Sequence, residues 1–214
     1  RRSGTHGADG LLVAVVPAAA ASISVIEALD GTRSYCTVAL DGVEIDEGRV
    51  LRRADAHSIA TGLDIATSAL ALEMVGTAQR IFDVTLDYAK QREQFGVPIG
   101  SFQAVKHKFA DMMVSLERAR ATAYFAALTI AERDPRRTSA TSVAKAAAGD
   151  CQRLLGKEGI QIHGGIGYTW EHDMHLLVKR MKAGEALLGT AMWHRDRKST
   201  RLNSSHIPLS RMPS

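Results

Sequence analysis

A chain of 214 residues, 45% hydrophobic and 23% charged, has the balance of a globular protein and enough length to bury a core. Its formal net charge of +4 comes from its ends: taking Arg1, Arg2, Lys198, Arg201 and Arg211 from the 27 Lys+Arg leaves 22 facing 23 Asp+Glu. A near-neutral body excludes an electrostatic case for a nucleic-acid partner. Cys36 and Cys151 form no CxxC or Cys/His ligand spacing, so the expectation is two buried thiols in a reducing compartment. No initiator Met or signal h-region opens the chain, and no run approaches the ~20 apolar residues that cross a bilayer. The sequence therefore reads as soluble and cytoplasmic, without a membrane span, and as starting mid-sequence.

Residues 11 to 48 have strand character. "LLVAVVP", "ASISVI" and "YCTVALDGVEI" are short, rich in β-branched residues and separated by turn signals at Asp30-Gly31 and Asp41-Gly42. Three strands make an incomplete sheet that must pack on something else. From about residue 55 the period becomes helical. The stretch from Leu63 to Phe82 is apolar nearly all round, which predicts a central bundle helix. In the next helix Phe102, Val105, Phe109, Met112, Leu116, Ala119, Ala123, Ala126 and Ile130 recur at spacings alternating 3 and 4, ended by Asp134-Pro135. That seam predicts an antiparallel bundle with Phe102, Phe109, Met112 and Leu116 in its core. An alanine-rich third helix is expected over about Thr138 to Ile162, and a fourth from about Glu171 toward Leu188. The predicted division is a β-domain remnant over 1–54, a helical bundle over 55–197 and a disordered or non-native tail over 198–214, the last with no acid and no periodicity.

Two stretches carry chemistry. In "IQIHGGIGYTWEHDMH", residues 160 to 175, His172 and His175 stand at i and i+3 with Asp173 between, but no further metal-ligand set accompanies them, and no metal is predicted. The glycines follow a helix and match neither GxGxxG nor GxxxxGK[ST]. They fit a helix terminus and tight turn whose N–H groups are free to meet a ligand oxygen, or a plain cap. In "QREQFGVPIGSFQAVKHKFADM", residues 91 to 112, Arg92 stands at a helix end beside Phe95 and Gly96. Guanidinium, amide and ring in one turn suit a phosphate-bearing aromatic cofactor, and equally an interhelix corner with a solvated arginine.

Taken together, "REQFGVPIGSFQAVKHKFADM" and, some sixty residues later, "GIQIHGGIGYTWEHDMHLLVKR" resemble the C-terminal helical domain of the acyl-CoA dehydrogenase family. Residues before the bundle resemble the end of the family's middle β-domain, so the resemblance covers about residues 10 to 197 and lacks the N-terminal helical domain. It implies a mainly α fold, an antiparallel four-helix bundle preceded by a short β remnant. It implies FAD as cofactor, an acyl-CoA thioester as substrate and trans-2-enoyl-CoA as product. Electron-transfer flavoprotein or a similar acceptor, and a homo- or hetero-oligomer, are the implied partners. By the same resemblance Arg92, Phe95 and Gln94 contact the FAD of a neighbouring subunit, and Gln161 and the backbone of Gly164 and Gly165 approach its adenosine-pyrophosphate part. Thr190 belongs with these cofactor-side residues.

The catalytic carboxylate is where this sequence departs from the pattern. Most of the family holds a glutamate just before a Gly-Thr, and Leu188 stands there, ahead of Gly189 and Thr190. A minority places it on the helix before the R-x-Q-F-G turn, where this chain has Ala66. Glu73, Asp64 and Glu185 are the substitute candidates, each of which also reads as a structural carboxylate. The missing glutamate allows a second reading, a non-catalytic subunit that supplies FAD contacts and interface to a catalytic partner. A third, weaker reading is a cofactor-free helical bundle that uses the Phe102–Ile130 seam for self-association.

Overall fold

A computed structural model describes residues 12–197. The chain divides into two compact units that part between Asp64 and Ile65. In the first, β1 (Ser22–Ile26) and β2 (Tyr35–Ala39) pair antiparallel, with Ser22 opposite Ala39 and Ile26 opposite Tyr35. The connection turns on Asp30, whose buried carboxylate accepts the Thr32 amide at 3.0 Å and faces the Arg33 guanidinium. The expected first strand does not form among the described residues. Its run supplies one bridge, Ala14 opposite Val50, because the chain passes through Pro17, which has no N–H to donate, into a 3₁₀ turn over Ala18–Ala20. Cys36, expected to be buried, is exposed on this two-stranded ribbon, where Ile23, Val25 and Val38 are exposed as well. A lone ribbon of two strands has no second layer to cover such side chains.

The helical elements are α1 (Ala56–Gln91), α2 (Gln103–Ala131), α3 (Arg137–His163) and α4 (Met174–Ala186). Asp55 starts α1 by accepting the Ser58 amide at 2.7 Å, a cap that also holds its carboxyl below the usual aspartate range. Along α1 the buried positions are Asp64, Thr67, Ser68, Leu70, Ala71, Met74, Val75, Ala78, Ile81, Phe82, Thr85 and Ala89, a stripe of helical period. The helix thus buries one face rather than its whole circumference, and Leu63 and Ile65 are exposed. Among the described residues α1 is the one helix long and apolar enough, by length and composition, to cross a membrane. The same stripe packs against other helices: Phe82 meets Phe109 of α2 edge-to-face at 5.6 Å, and Gln152 of α3 donates to the Met74 carbonyl at 3.1 Å.

On α2, Met112, Leu116, Ala119, Ala123 and Ala126 have no exposed surface, as the 3,4 spacing predicts. Phe109 is half-buried against the core. Phe102 departs from the prediction: it sits at the α2 N-cap, 36% exposed, because the seam begins one turn outside the packed layer. The helix ends in a Schellman closure, with Arg133 at φ 52, its amide on Ile130 O and the Asp134 amide on Thr129 O. Small residues then bring helices close, α3 to α1 and α4 to α1. A Cβ on Gly159 would stand 3.0 Å from Ile81 Cγ2, and one on Gly184 of α4 would stand 3.2 Å from Met74 Cγ. The expected tail over 198–214 lies outside the described residues.

Candidate cofactor-binding site

The R-x-Q-F-G segment is a two-residue hairpin. β3 (Glu93–Gln94) pairs with β4 (Val97–Pro98), and the loop residues Phe95 and Gly96 both take positive φ, 55° and 77°. That is the type I′ arrangement, which suits glycine and strains phenylalanine. The hairpin is tied to α1 by Arg92, whose amide donates to Tyr88 O and whose carbonyl accepts from the Ile99 amide, each at 2.8 Å. Phe95 projects with 93% of its surface exposed and meets Phe102 edge-to-face at 6.2 Å. Arg92 and Gln94 are exposed too, and among the described residues the Arg92 guanidinium has no acidic partner. The turn therefore presents an exposed guanidinium beside an exposed ring, the pair of groups the sequence singled out.

The glycine stretch has three distinct parts. Gly164 closes α3 at φ 64, and its amide reaches Ile160 O. Gly165 follows in the 3₁₀ turn Gly164–Tyr168, and a Cβ on either glycine would meet nothing within 4 Å. Gly167 instead is a packing glycine, whose Cβ would lie 3.0 Å from the His163 side chain and 3.2 Å from Ile160 O. Gln161 is exposed beside the first pair. An approaching dinucleotide would thus find open backbone at Gly164 and Gly165.

Tyr88 and His163 join the two motifs at one end of the bundle. Tyr88, one turn before Arg92, stacks on the His163 ring at 4.4 Å and donates to the His163 carbonyl at 3.4 Å. His163 Nδ1–H donates to Gly159 O at 2.8 Å, while its buried Nε2 has no partner. Burial is the main reason its pKa lies below the ordinary histidine value, with the Gly159 bond opposing and His172 adding to the shift. The remaining polar residues of the stretch are locally engaged. His172 Nδ1 accepts the Met174 amide at 3.1 Å and its ring meets His163 edge-on, while His175 meets Trp170. Asp173 caps α4 through its carbonyl, which accepts the Leu176 amide at 3.0 Å, and not through its side chain.

The carboxylate candidates stand in different surroundings. Glu73 accepts from Arg180 Nε at 2.9 Å and Nη2 at 2.8 Å, linking α1 to α4, with 38% of its side chain accessible. Asp64 is buried. Glu185 Oε1 accepts the Ala191 amide at 3.0 Å, and its other oxygen is buried without a partner. Ala66 is exposed on α1. Leu188, at φ 54, and Gly189, at φ 99, form a left-handed pair after α4, and Thr190 caps the helical turn 191–197 by accepting the Trp193 amide at 3.2 Å.

Sequence reasoning missed the group beneath that pair. Lys145 of α3 has no exposed surface and donates to the carbonyls of Glu185 at 3.2 Å and Gly189 at 2.8 Å. The available signal was the buried polar and small stripe Thr141, Lys145, Gly149 and Gln152, spaced 4, 4 and 3 along an alanine-rich helix.

Comparison with known proteins identifies the family and the fold. The family model described as "Acyl-CoA dehydrogenase, C-terminal domain" matches residues 56–202. Acyl-CoA dehydrogenase IpdE2 of Mycobacterium tuberculosis is 46% identical over 125 residues, covering 58% of this chain and 37% of that protein. The short/branched chain specific acyl-CoA dehydrogenase of Bos taurus mitochondria is 32% identical over 160 residues, or 74% of this chain and 37% of that one. Among solved structures, the glutaryl-coenzyme A dehydrogenase glutaryl-CoA complex superposes with a TM-score of 0.85 at 25% identity, covering 94% of this chain and 52% of that one. The ChsE4-ChsE5 complex from Mycobacterium tuberculosis gives 0.80 at 26% identity, over 88% and 50%. The chain belongs to the acyl-CoA dehydrogenase family, and it spans about half the length of these structures and less of the curated relatives.

Proposed function

We propose that this chain is the cofactor-side part of an FAD-dependent acyl-CoA dehydrogenase that converts an acyl-CoA thioester to a trans-2-enoyl-CoA. The observation that carries the reading is the shared bundle end, where the unpaired Arg92, the bare Phe95 ring and the open Gly164–Gly165 backbone converge around the Tyr88–His163 stack. These residues fit a flavin dinucleotide. Arg92 offers a planar fork to a pyrophosphate oxygen, Gly164 and Gly165 permit close approach, and Gln94 and Gln161 supply polar contacts, while Thr190 lies beside Lys145, about five turns along α3 from that end. When bound, FAD supplies the hydride acceptor. The chain's own part is to hold the dinucleotide of a neighbouring subunit, so an oligomer is required. Assembled this way in the cytoplasm, the enzyme passes electrons to an electron-transfer flavoprotein or similar acceptor.

Taking the α-proton needs a carboxylate within reach of the thioester. Glu73 is the most accessible of the three candidates, although Arg180 engages it. In the full-length flavoprotein, anaerobic acyl-CoA addition should bleach the flavin and yield enoyl-CoA. Glu73→Gln should abolish bleaching with flavin retained, whereas normal bleaching makes the Glu73–Arg180 pair a strut between α1 and α4. The apolar, half-exposed Leu188 favours one further reading, a non-catalytic subunit of a hetero-oligomer. That the similar ChsE4-ChsE5 structure is itself a complex supports the comparison. Bleaching that appears only after a second, glutamate-bearing subunit is added would select it.

A further inference from the structure

Three side chains from two parts of the chain converge on the segment that follows α4. Among the described residues Lys145 is the largest side chain without exposed surface, and its ammonium grips the Glu185 and Gly189 carbonyls from α3. His194, also buried, donates Nε2–H to Leu188 O at 3.0 Å. Glu185 bridges forward to the Ala191 amide, and Gly149 leaves room for its carboxylate, since a Cβ there would lie 2.3 Å from Oε2. The carbonyls of Leu188 and Gly189 are therefore each held by a buried donor, although both residues occupy the left-handed region.

Burying an ammonium is costly, and an apolar side chain of similar volume would fill the space without that cost. Desolvation indeed lowers the lysine's proton affinity, with Glu185 opposing. What lysine offers that methionine does not is directed donors to two carbonyls four residues apart, and these carbonyls frame the turn. Leu188 occupies the place where, by resemblance, most of the family keeps its base, and Thr190 is expected to face the cofactor.

We infer that Lys145 is a positioning residue: it fixes the left-handed Leu188–Gly189 turn and thereby sets how Leu188 and Thr190 are presented to flavin and acyl thioester. The inference rests on the dehydrogenase reading for its second half only.

Lys145→Met removes the donors and keeps most of the volume. Amide hydrogen exchange on the full-length protein should accelerate by roughly tenfold or more over residues 186–191, the loss expected when charged hydrogen bonds disappear, while α1 and α2 keep their protection. In the flavin-loaded protein, bleaching at saturating acyl-CoA should slow by a similar factor with flavin still bound. Lys145→Gln, which keeps a neutral donor, should fall between, and it carries the same comparison if the methionine variant does not fold. Unchanged exchange over 186–191, acceleration spread evenly through the bundle, or a loosened turn with unchanged bleaching would each overturn the inference. If no acyl-CoA bleaches the wild-type protein, the dehydrogenase reading has failed, and the exchange pattern alone decides whether Lys145 positions the turn.

Discussion

Phe95–Gly96 and Leu188–Gly189 share one local conformation, a bulky residue followed by glycine with both in the left-handed region, yet they are supported in opposite ways. The first is held by its own strands, β3 on β4, and leaves Phe95 almost wholly exposed. The second has no ladder and is held by Lys145 and His194, which lie up to 44 residues away in sequence. Positive φ on a non-glycine residue costs about 1–2 kcal/mol. A hairpin repays it locally and so frees its side chains for a ligand, whereas the second turn draws on buried charge and so couples its shape to the bundle.

The largest expected effect that separates the two is at their glycines. Gly189→Ala adds a Cβ 2.7 Å from the Trp193 ring and 3.2 Å from His194 Nε2, on top of the left-handed strain. Overpacking and strain together should cost roughly 2–4 kcal/mol in a denaturant titration. Gly96→Ala meets open space and should cost only the strain, about 1 kcal/mol. Equal losses would show that the buried supports of the second turn contribute nothing.

Acid should discriminate next. Burial keeps both His163, stacked on Tyr88, and His194, beneath the second turn, below the ordinary histidine value of 6.5. Within that window the unfolded chain binds more protons than the folded one, so stability is present above pH 6.5 and is lost as pH falls through it toward the folded values. Thermal unfolding midpoints should be flat above about pH 7.5 and decline below about 6.5. His194→Gln should flatten part of that decline, and a second part should persist until His163 is replaced. A decline unaltered by both substitutions would assign the acid sensitivity elsewhere.

The smallest stability effect belongs to Phe95. Replacing an almost fully exposed ring by glycine removes strain at φ 55 and little packing, so Phe95→Gly should leave stability unchanged or raise it by up to about 1 kcal/mol. The same variant should weaken flavin retention in the full-length protein. A large loss of stability instead would make Phe95 a packing residue.

The sequence made the bundle legible because apolar periodicity reports which face a helix buries, as at Met112, Leu116, Ala119 and Ala123. It was less informative at edges. Phe102 follows the seam and is exposed, and the strand-like run before Pro17 makes one bridge, since periodicity says nothing about where a packed layer stops. Arg92, Phe95 and the glycines stood out as candidates because they form compact local motifs. Lys145 and His194 were not, because their roles arise from contacts made across tens of residues or after a turn whose left-handed geometry the letters "LLGT" do not announce. The hairpin's type I′ loop was likewise hidden by a phenylalanine where asparagine or glycine is usual.

The account depends most on Arg92 as a ligand-side cation. The direct measurement is the FAD dissociation constant of the full-length protein, compared for wild type, Arg92→Lys and Arg92→Ala under one set of salt conditions. Losing a charge-assisted hydrogen bond contributes about 1.5–3 kcal/mol, so Arg92→Ala should weaken binding by roughly one to two decades. Lysine, with charge but no planar fork, should recover only part of it. Equal flavin affinity in all three proteins, with the hairpin intact, would contradict the assignment of this bundle end to the cofactor.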